Sequence, residues 1–194
     1  IFANEEPAIR TQMRLLNACT GLQRGSILNG SRDLTKKVWG DINPYVENFD
    51  CVGKTMDDLN EYCTNNEVDI LIIDQLDKIN VTGKFNATHE KLREVYTQAR
   101  ELAKRHNILV IGMSQASAEA QGRSRVTFST MENSKTGKAA EADLILGLGK
   151  EDEEEDFMDD CIRFVTLSKN KLTGDHKEFE VILRPTISRF AERN

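Results

Sequence analysis

An aspartate that closes a run of large aliphatics is the sharpest chemical signal in this chain: Ile70-Leu71-Ile72-Ile73 leads straight into Asp74. A dry strand holds such a carboxylate rigidly, and a rigid carboxylate can orient water on a phosphate-bound Mg²⁺. This is the pattern of a Walker B element. A strand-end aspartate can also simply cap a loop, so Asp74 takes its meaning from its companions. Glu5 follows Ile1-Phe2-Ala3, which reads like the end of a buried strand. Gln115 follows Ile108-Leu109-Val110-Ile111-Gly112-Met113-Ser114. In open α/β sheets ligands gather beyond the carboxyl ends of parallel strands, and that is the edge Glu5, Asp74 and Gln115 would share.

A phosphate-binding loop should accompany such an edge. The one Gly-Lys-Thr in the chain is Gly53-Lys54-Thr55. Its first glycine position is Asn48, no aliphatic strand leads into it, and Pro44 lies close by. It reads instead as a strand-to-helix turn with Thr55 as N-cap and Asp58 three residues on. Gly83-Lys84 and Gly137-Lys138 lack the Ser or Thr that should follow. The loop is therefore expected upstream of Ile1, in keeping with an opening that has no Met.

The elements that must position these groups are legible from periodicity. Apolar residues at helical spacing predict a helix over 7–19, started by Pro7 and stopped by Gly21. A second helix is expected near 31–40 and a weak extended stretch over 45–52. Residues 69–74 and 108–113 read as strands buried on both faces, as in a parallel sheet covered by helices. Between them an amphipathic helix over 87–106 presents Leu92, Val95, Ala99 and Leu102 on one face, which makes a right-handed crossover unit. A third buried strand is expected over 144–148. Strands over 161–168 and 177–183 flank the turn at 172–175, Pro185 breaks the last one, and 187–190 closes the sheet.

Composition excludes several classes. The chain has 194 residues with 26 Lys and Arg against 32 Asp and Glu, a net charge of −6. No apolar run approaches the ~20 residues needed to cross a bilayer, and Ile1-Phe2-Ala3 running into Asn4-Glu5-Glu6 is not expected to be a secretory leader. Cys19, Cys51, Cys63 and Cys161 lack metal-ligand spacing, and three histidines make a His-based metal centre a poor fit; reduced thiols in a cytoplasmic protein are expected. Eight acids fall within residues 151–160. The other 24 acids stand against 26 bases, a balance of +2, so acidity alone does not exclude a nucleic-acid partner. The acidic run itself is a solvated loop, a shield against DNA or a site for a basic partner.

With the strand-end Glu, Asp and Gln in this order, the chain resembles the RecA-like motor domain of DnaB-type replicative helicases, including bacteriophage ring helicases and primase-helicases. Five segments carry the resemblance over nearly the whole chain: Phe2-Ala3-Asn4-Glu5-Glu6-Pro7-Ala8, Leu71-Ile72-Ile73-Asp74-Gln75-Leu76, Val110-Ile111-Gly112-Met113-Ser114-Gln115, Ala140-Glu141-Ala142-Asp143-Leu144-Ile145-Leu146 and Leu167-Ser168-Lys169-Asn170-Lys171-Leu172-Thr173-Gly174. It implies an α/β, RecA-like fold: a mostly parallel central sheet flanked by helices, with C-terminal antiparallel strands, lacking its upstream phosphate loop. It implies an ATP hydrolase that unwinds DNA in the 5′→3′ direction as a homo-oligomeric, hexameric ring, with primase and polymerase of a replisome as further partners, in the host cytoplasm if phage-encoded. Glu5, or Glu6 if the alignment slips by one, would polarise the attacking water. Asp74 would hold Mg²⁺ through water, and Gln115 would sense the γ-phosphate of ATP. Lys169 and Lys171 would reach the ATP of the adjacent subunit. The family usually has an arginine where Lys171 stands, and lysine lacks its bidentate fork, so Arg184 or Arg189 is the alternative finger.

The polar stretch 116–138 follows the sensor position and carries Arg123, Arg125, Lys135 and Lys138. With Asn133, Thr136 and, in the loop after Asp74, Lys84, these are the candidate contacts to single-stranded DNA. Phe128 is the only ring there, which favours tracking of the phosphate backbone over base readout. Two other classes stay open at this point: a RecA/RadA-type recombinase or related ATPase on the same fold, and a non-catalytic DNA-binding or assembly module.

Overall fold

A computed structural model of the chain describes residues 1–30, 32–130, 135–151 and 161–193. The first strand, β1 (Phe2–Ala3), leads through Pro7 into α1 (Ala8–Thr20), which ends on Gly21 at φ 70°. Two shorter helices, α2 (Arg24–Asn29) and α3 (Arg32–Ile42), precede β2 (Phe49–Asp50). Next, α4 (Met56–Asn65) opens on a reciprocal cap. The Asp58 amide donates to Thr55 Oγ1 at 3.2 Å and the Thr55 amide to Asp58 Oδ2 at 2.7 Å. Gly53-Lys54-Thr55 is thus a turn, with Gly53 at φ 78°.

The crossover follows as expected: β3 (Ile70–Asp74), α5 (Thr88–His106) and β4 (Leu109–Gly112). The described part of the stretch 116–138 contains two short 3-10 turns and runs into α6 (Lys135–Glu141). The remainder is a meander of β5 (Leu144–Gly149), β6 (Ile162–Asn170), β7 (Glu178–Arg184) and β8 (Arg189–Glu192).

Among the described residues the strands form two sheets of four. One is parallel, in the order β2-β1-β3-β4, with Ala3 beside Asp74 and Ile73 beside Gly112. The other is antiparallel, in the order β5-β6-β7-β8, and does not extend the first. Leu71 and Ile73 turn inward from β3 onto Leu59 of α4 and Val95 of α5, all 2% exposed or less. Phe2, Phe49 and Tyr62 pack ring on ring beside them, with centroids 5.1–5.3 Å apart.

Burial of the aliphatic strands on both faces does not hold. Ile70 is 53% and Leu109 55% exposed, and Ile111, Met113, Leu144, Leu146 and Leu148 are also exposed. Helices α4 and α5 cover one face, and among the described residues nothing covers the apolar side chains on the other. A continuous aliphatic run has no period to tell which face is covered, so sequence could not distinguish the two cases.

Candidate functional site

Parallel pairing of β1 with β3 sets Ala3 level with Asp74, so the chain emerges from both strands at one sheet edge. Asn4 locks the two exits together. Its amide N–H donates to the Asp74 carbonyl at 2.7 Å, while its side chain exchanges bonds of 2.6 and 2.8 Å with the Gln75 backbone. Glu5 is therefore held over the end of β3. Its Oε2 accepts from Gln75 Nε2 at 2.6 Å, and its Oε1 lies 3.2 Å from Lys78 Nζ and 3.5 Å from Gln115 Nε2. Glu6 turns away to pair with Arg14 at 2.8 Å, so Glu5 rather than its neighbour meets Gln115.

Glu5, Asp74 and Gln115 thus converge, as the strand-end pattern predicts. Burial pushes the Asp74 carboxyl above its ordinary range, and the negative charge of Glu5 pushes it further. A cation at this edge would relieve both effects, which fits a Mg²⁺ ion. No group of three or more His, Cys, Asp or Glu among the described residues forms a cage. The ion would then take most ligands from phosphate oxygens and water, as Mg²⁺ commonly does.

Sequence reasoning missed Asn4, Gln75, Lys78 and Asp77. Leu76–Lys78 is a 3-10 turn, where side chains three apart eclipse, so Gln75 and Lys78 point the same way. Asp77 points elsewhere and accepts from Tyr96 Oη at 2.7 Å, Ser114 Oγ at 2.9 Å and Lys138 Nζ at 2.6 Å.

This placement corrects the expectation for Lys138. It is fully buried and ion-paired, so it cannot meet a phosphate backbone from this position. Arg123, Arg125 and Lys84 are exposed and make no side-chain bond to the described residues. The 117–130 segment closes on itself through a 2.7 Å bond from the Ser117 amide to the Thr130 carbonyl. Asn133 and the core of the acidic run, 152–160, lie outside the described residues; Lys135 and Thr136 fall within α6.

The two lysines of the meander fold back on their own chain. Lys169 Nζ donates to the Ala139 carbonyl, and Lys171 Nζ reaches the Ala140 carbonyl at 3.4 Å and Asp143 at 3.5 Å. They cover the carboxyl end of α6, where cations are favoured. Burial lowers the Lys169 amine, and Lys171 beside it lowers it further. Burial alone would raise Asp143, but Arg100 and Lys171 together hold it below its ordinary value. Arg189 ties to the Ala18 carbonyl at the end of α1, whereas the Arg184 side chain is exposed and makes no bond among the described residues.

No family model and no curated protein sequence matches the chain. Solved structures do. The ATPase domain of G40P superposes with a TM-score of 0.82 at 17% identity, covering all of this chain and 73% of that one. A DnaB-like replicative helicase, studied with its interactions with primase, gives 0.81 at 17% identity; the chain spans 51% of its length. The RadB recombinase gives 0.58 at 12% identity, over 100% and 78% of the two chains. The fold is RecA-like. Among the described residues no helix is long and apolar enough to cross a membrane.

Proposed function

We propose that this chain is the motor part of an ATP-driven replicative DNA helicase, moving 5′→3′ on single-stranded DNA as a hexameric ring. The observation that carries the reading is the meeting of Glu5, Asp74 and Gln115 at one edge of a RecA-like sheet. In this reading Glu5 orients the water that attacks the γ-phosphate, held in place by Gln75 and Lys78. Asp74 holds Mg²⁺, which neutralises charge on the phosphate oxygens. Gln115 senses the terminal phosphate. Lys169 and Lys171, or the unpaired Arg184, reach the ATP of an adjoining protomer. Arg123, Arg125 and Lys84 contact the phosphates of the strand, with Lys135, Thr136 and Asn133 alongside. A phage source, a host-cytoplasmic setting, and primase and polymerase as replisome partners complete the proposal.

The reading includes an upstream segment bearing the phosphate loop. Among the described residues β4 and β5 each end a sheet with one open edge, and both strands show open apolar side chains. A strand seated between them would join the sheets into one. Residues 1–194 alone should then bind ATP poorly and turn over little of it.

The test is DNA-stimulated ATP hydrolysis by the full-length protein. Asp74→Ala and Glu5→Gln should each lower kcat by about 100-fold or more, the scale expected when a positioned catalytic group is lost. Normal hydrolysis by both variants would refute the assignment. The likeness to RadB favours one second reading, a recombinase: strand exchange without unwinding would select it.

A further inference from the structure

Lys138 is the largest completely buried side chain among the described residues. Its amine donates to Asp77 Oδ2 at 2.6 Å and to Ser114 Oγ at 3.1 Å, and sits 5.6 Å from the centre of the Tyr96 ring. Ser114 in turn donates to Asp77 at 2.9 Å, and Tyr96 to the other Asp77 oxygen at 2.7 Å. Each polar atom of the cluster has a partner.

The four residues come from four elements. Asp77 lies three residues beyond Asp74, in the turn that presents Gln75 and Lys78 to Glu5. Ser114 is the immediate neighbour of Gln115. Tyr96 is on α5. Lys138 belongs to α6, the far end of the stretch that carries Arg123 and Arg125. A buried ion pair is seldom the most stable filling for a core site, since desolvation offsets most of its attraction; apolar residues of similar volume do as well or better. An apolar side chain would hold α6 against α5 as firmly. It would not fix α6 to the rotamer and position of Ser114.

We propose that Lys138 is a positioning residue that couples nucleotide state to DNA affinity, by fastening α6 to the turn after Asp74 and to the end of β4. The inference rests on the helicase reading above. When the terminal phosphate draws Gln115, Ser114 moves with it, and the Ser114–Lys138–Asp77 bonds carry that movement to α6 and the basic stretch ahead of it.

The experiment measures the affinity of the full-length protein for a fluorescein-labelled oligo-dT, by anisotropy, with a non-hydrolysable ATP analogue and with ADP. A fluorescent nucleotide titration runs in parallel. The wild type is expected to bind DNA at least about 10-fold more tightly in one nucleotide state, within the usual range of coupling. In Lys138→Met that ratio should fall to within about 2-fold, with nucleotide affinity retained. Ser114→Ala, which removes one bond without stranding a charge, should reduce the ratio part of the way and guards against a Lys138→Met that fails to fold. A full ratio in either folded variant overturns the inference and leaves the helicase reading standing. An equal loss of DNA affinity in both nucleotide states also overturns it, because Lys138 would then be supporting the DNA contacts alone. A wild type that binds neither ATP nor DNA removes the helicase reading itself.

Discussion

The two sheets have four strands each and are built on opposite terms. The parallel sheet has strands of two to five residues, yet the apolar core lies under it. The antiparallel sheet has strands of four to nine residues, but every buried apolar side chain among the described residues lies at or before Ala139. Apart from Gly147 and Gly149, its buried residues are polar: Thr166, bonded to Glu178, and Ser168, which accepts from the Phe128 amide. A meander pairs neighbours in sequence and gains a regular ladder cheaply in loop-closure entropy. A parallel sheet needs long crossovers and a core to hold them. The difference also sorts the chemistry. Carboxylates and amides that demand fixed geometry stand on the half with the core, while Lys169, Lys171, Arg184 and Arg189 stand on the half without one.

The contrast is broken most directly by comparing two truncations. Leu59→Ala, under the parallel sheet and fully buried, should cost about 2–5 kcal/mol in urea unfolding. Phe179→Ala, half exposed on β7, should cost less than about 1 kcal/mol. Equal costs would mean that the meander hides a core of its own. Gly147→Ala probes what the meander uses instead, because a Cβ there would stand 1.8 Å from the Val126 carbonyl oxygen. The expected penalty is about 1–3 kcal/mol, with faster proteolysis between residues 116 and 130. Arg123→Ala and Arg125→Ala should each lower the salt slope of oligo-dT binding by about 0.7, with no change in sequence preference. The smallest effect belongs to Asp58, whose bonds from the Thr55 amide and hydroxyl hold it below the ordinary 3.8. A lowered folded-state value stabilises above the unfolded pKa and fades as pH falls through the folded one. The stability advantage of wild type over Asp58→Ala should be complete at pH 5–7 and shrink steadily below pH 3.8, as followed by thermal melts.

Much of the parallel half was legible because its signals are local. Pro7 and Gly21 bound α1, Thr55 with Asp58 opens α4, and Ile70 to Asp74 spells a strand with a carboxylate at its end. Pattern reading stopped where meaning depends on what comes to lie alongside. Lys138 in a polar stretch looks like any solvated lysine; only the folded chain brings Asp77, 61 residues earlier, against it. The alternation Leu146-Gly147-Leu148-Gly149 did hold a clue, since glycine within a strand marks close approach of another backbone. Which backbone approaches was not readable from the strand itself. Gln75 and Lys78 were overlooked because a turn of three residues has too short a period to register.

The strap formed by residues 123–126 has a mechanical side. It lies across β5 so closely that the carbonyl oxygens of Ser124 and Val126 take the space of absent side chains at Gly149 and Gly147. A tug on the guanidinium of Arg123 or Arg125 therefore enters the molecule through β5 and spreads along the ladder to β6, β7 and β8. The turn at 128–130 also touches α6, so the ladder takes such a load alongside the Lys138 cluster rather than in its place.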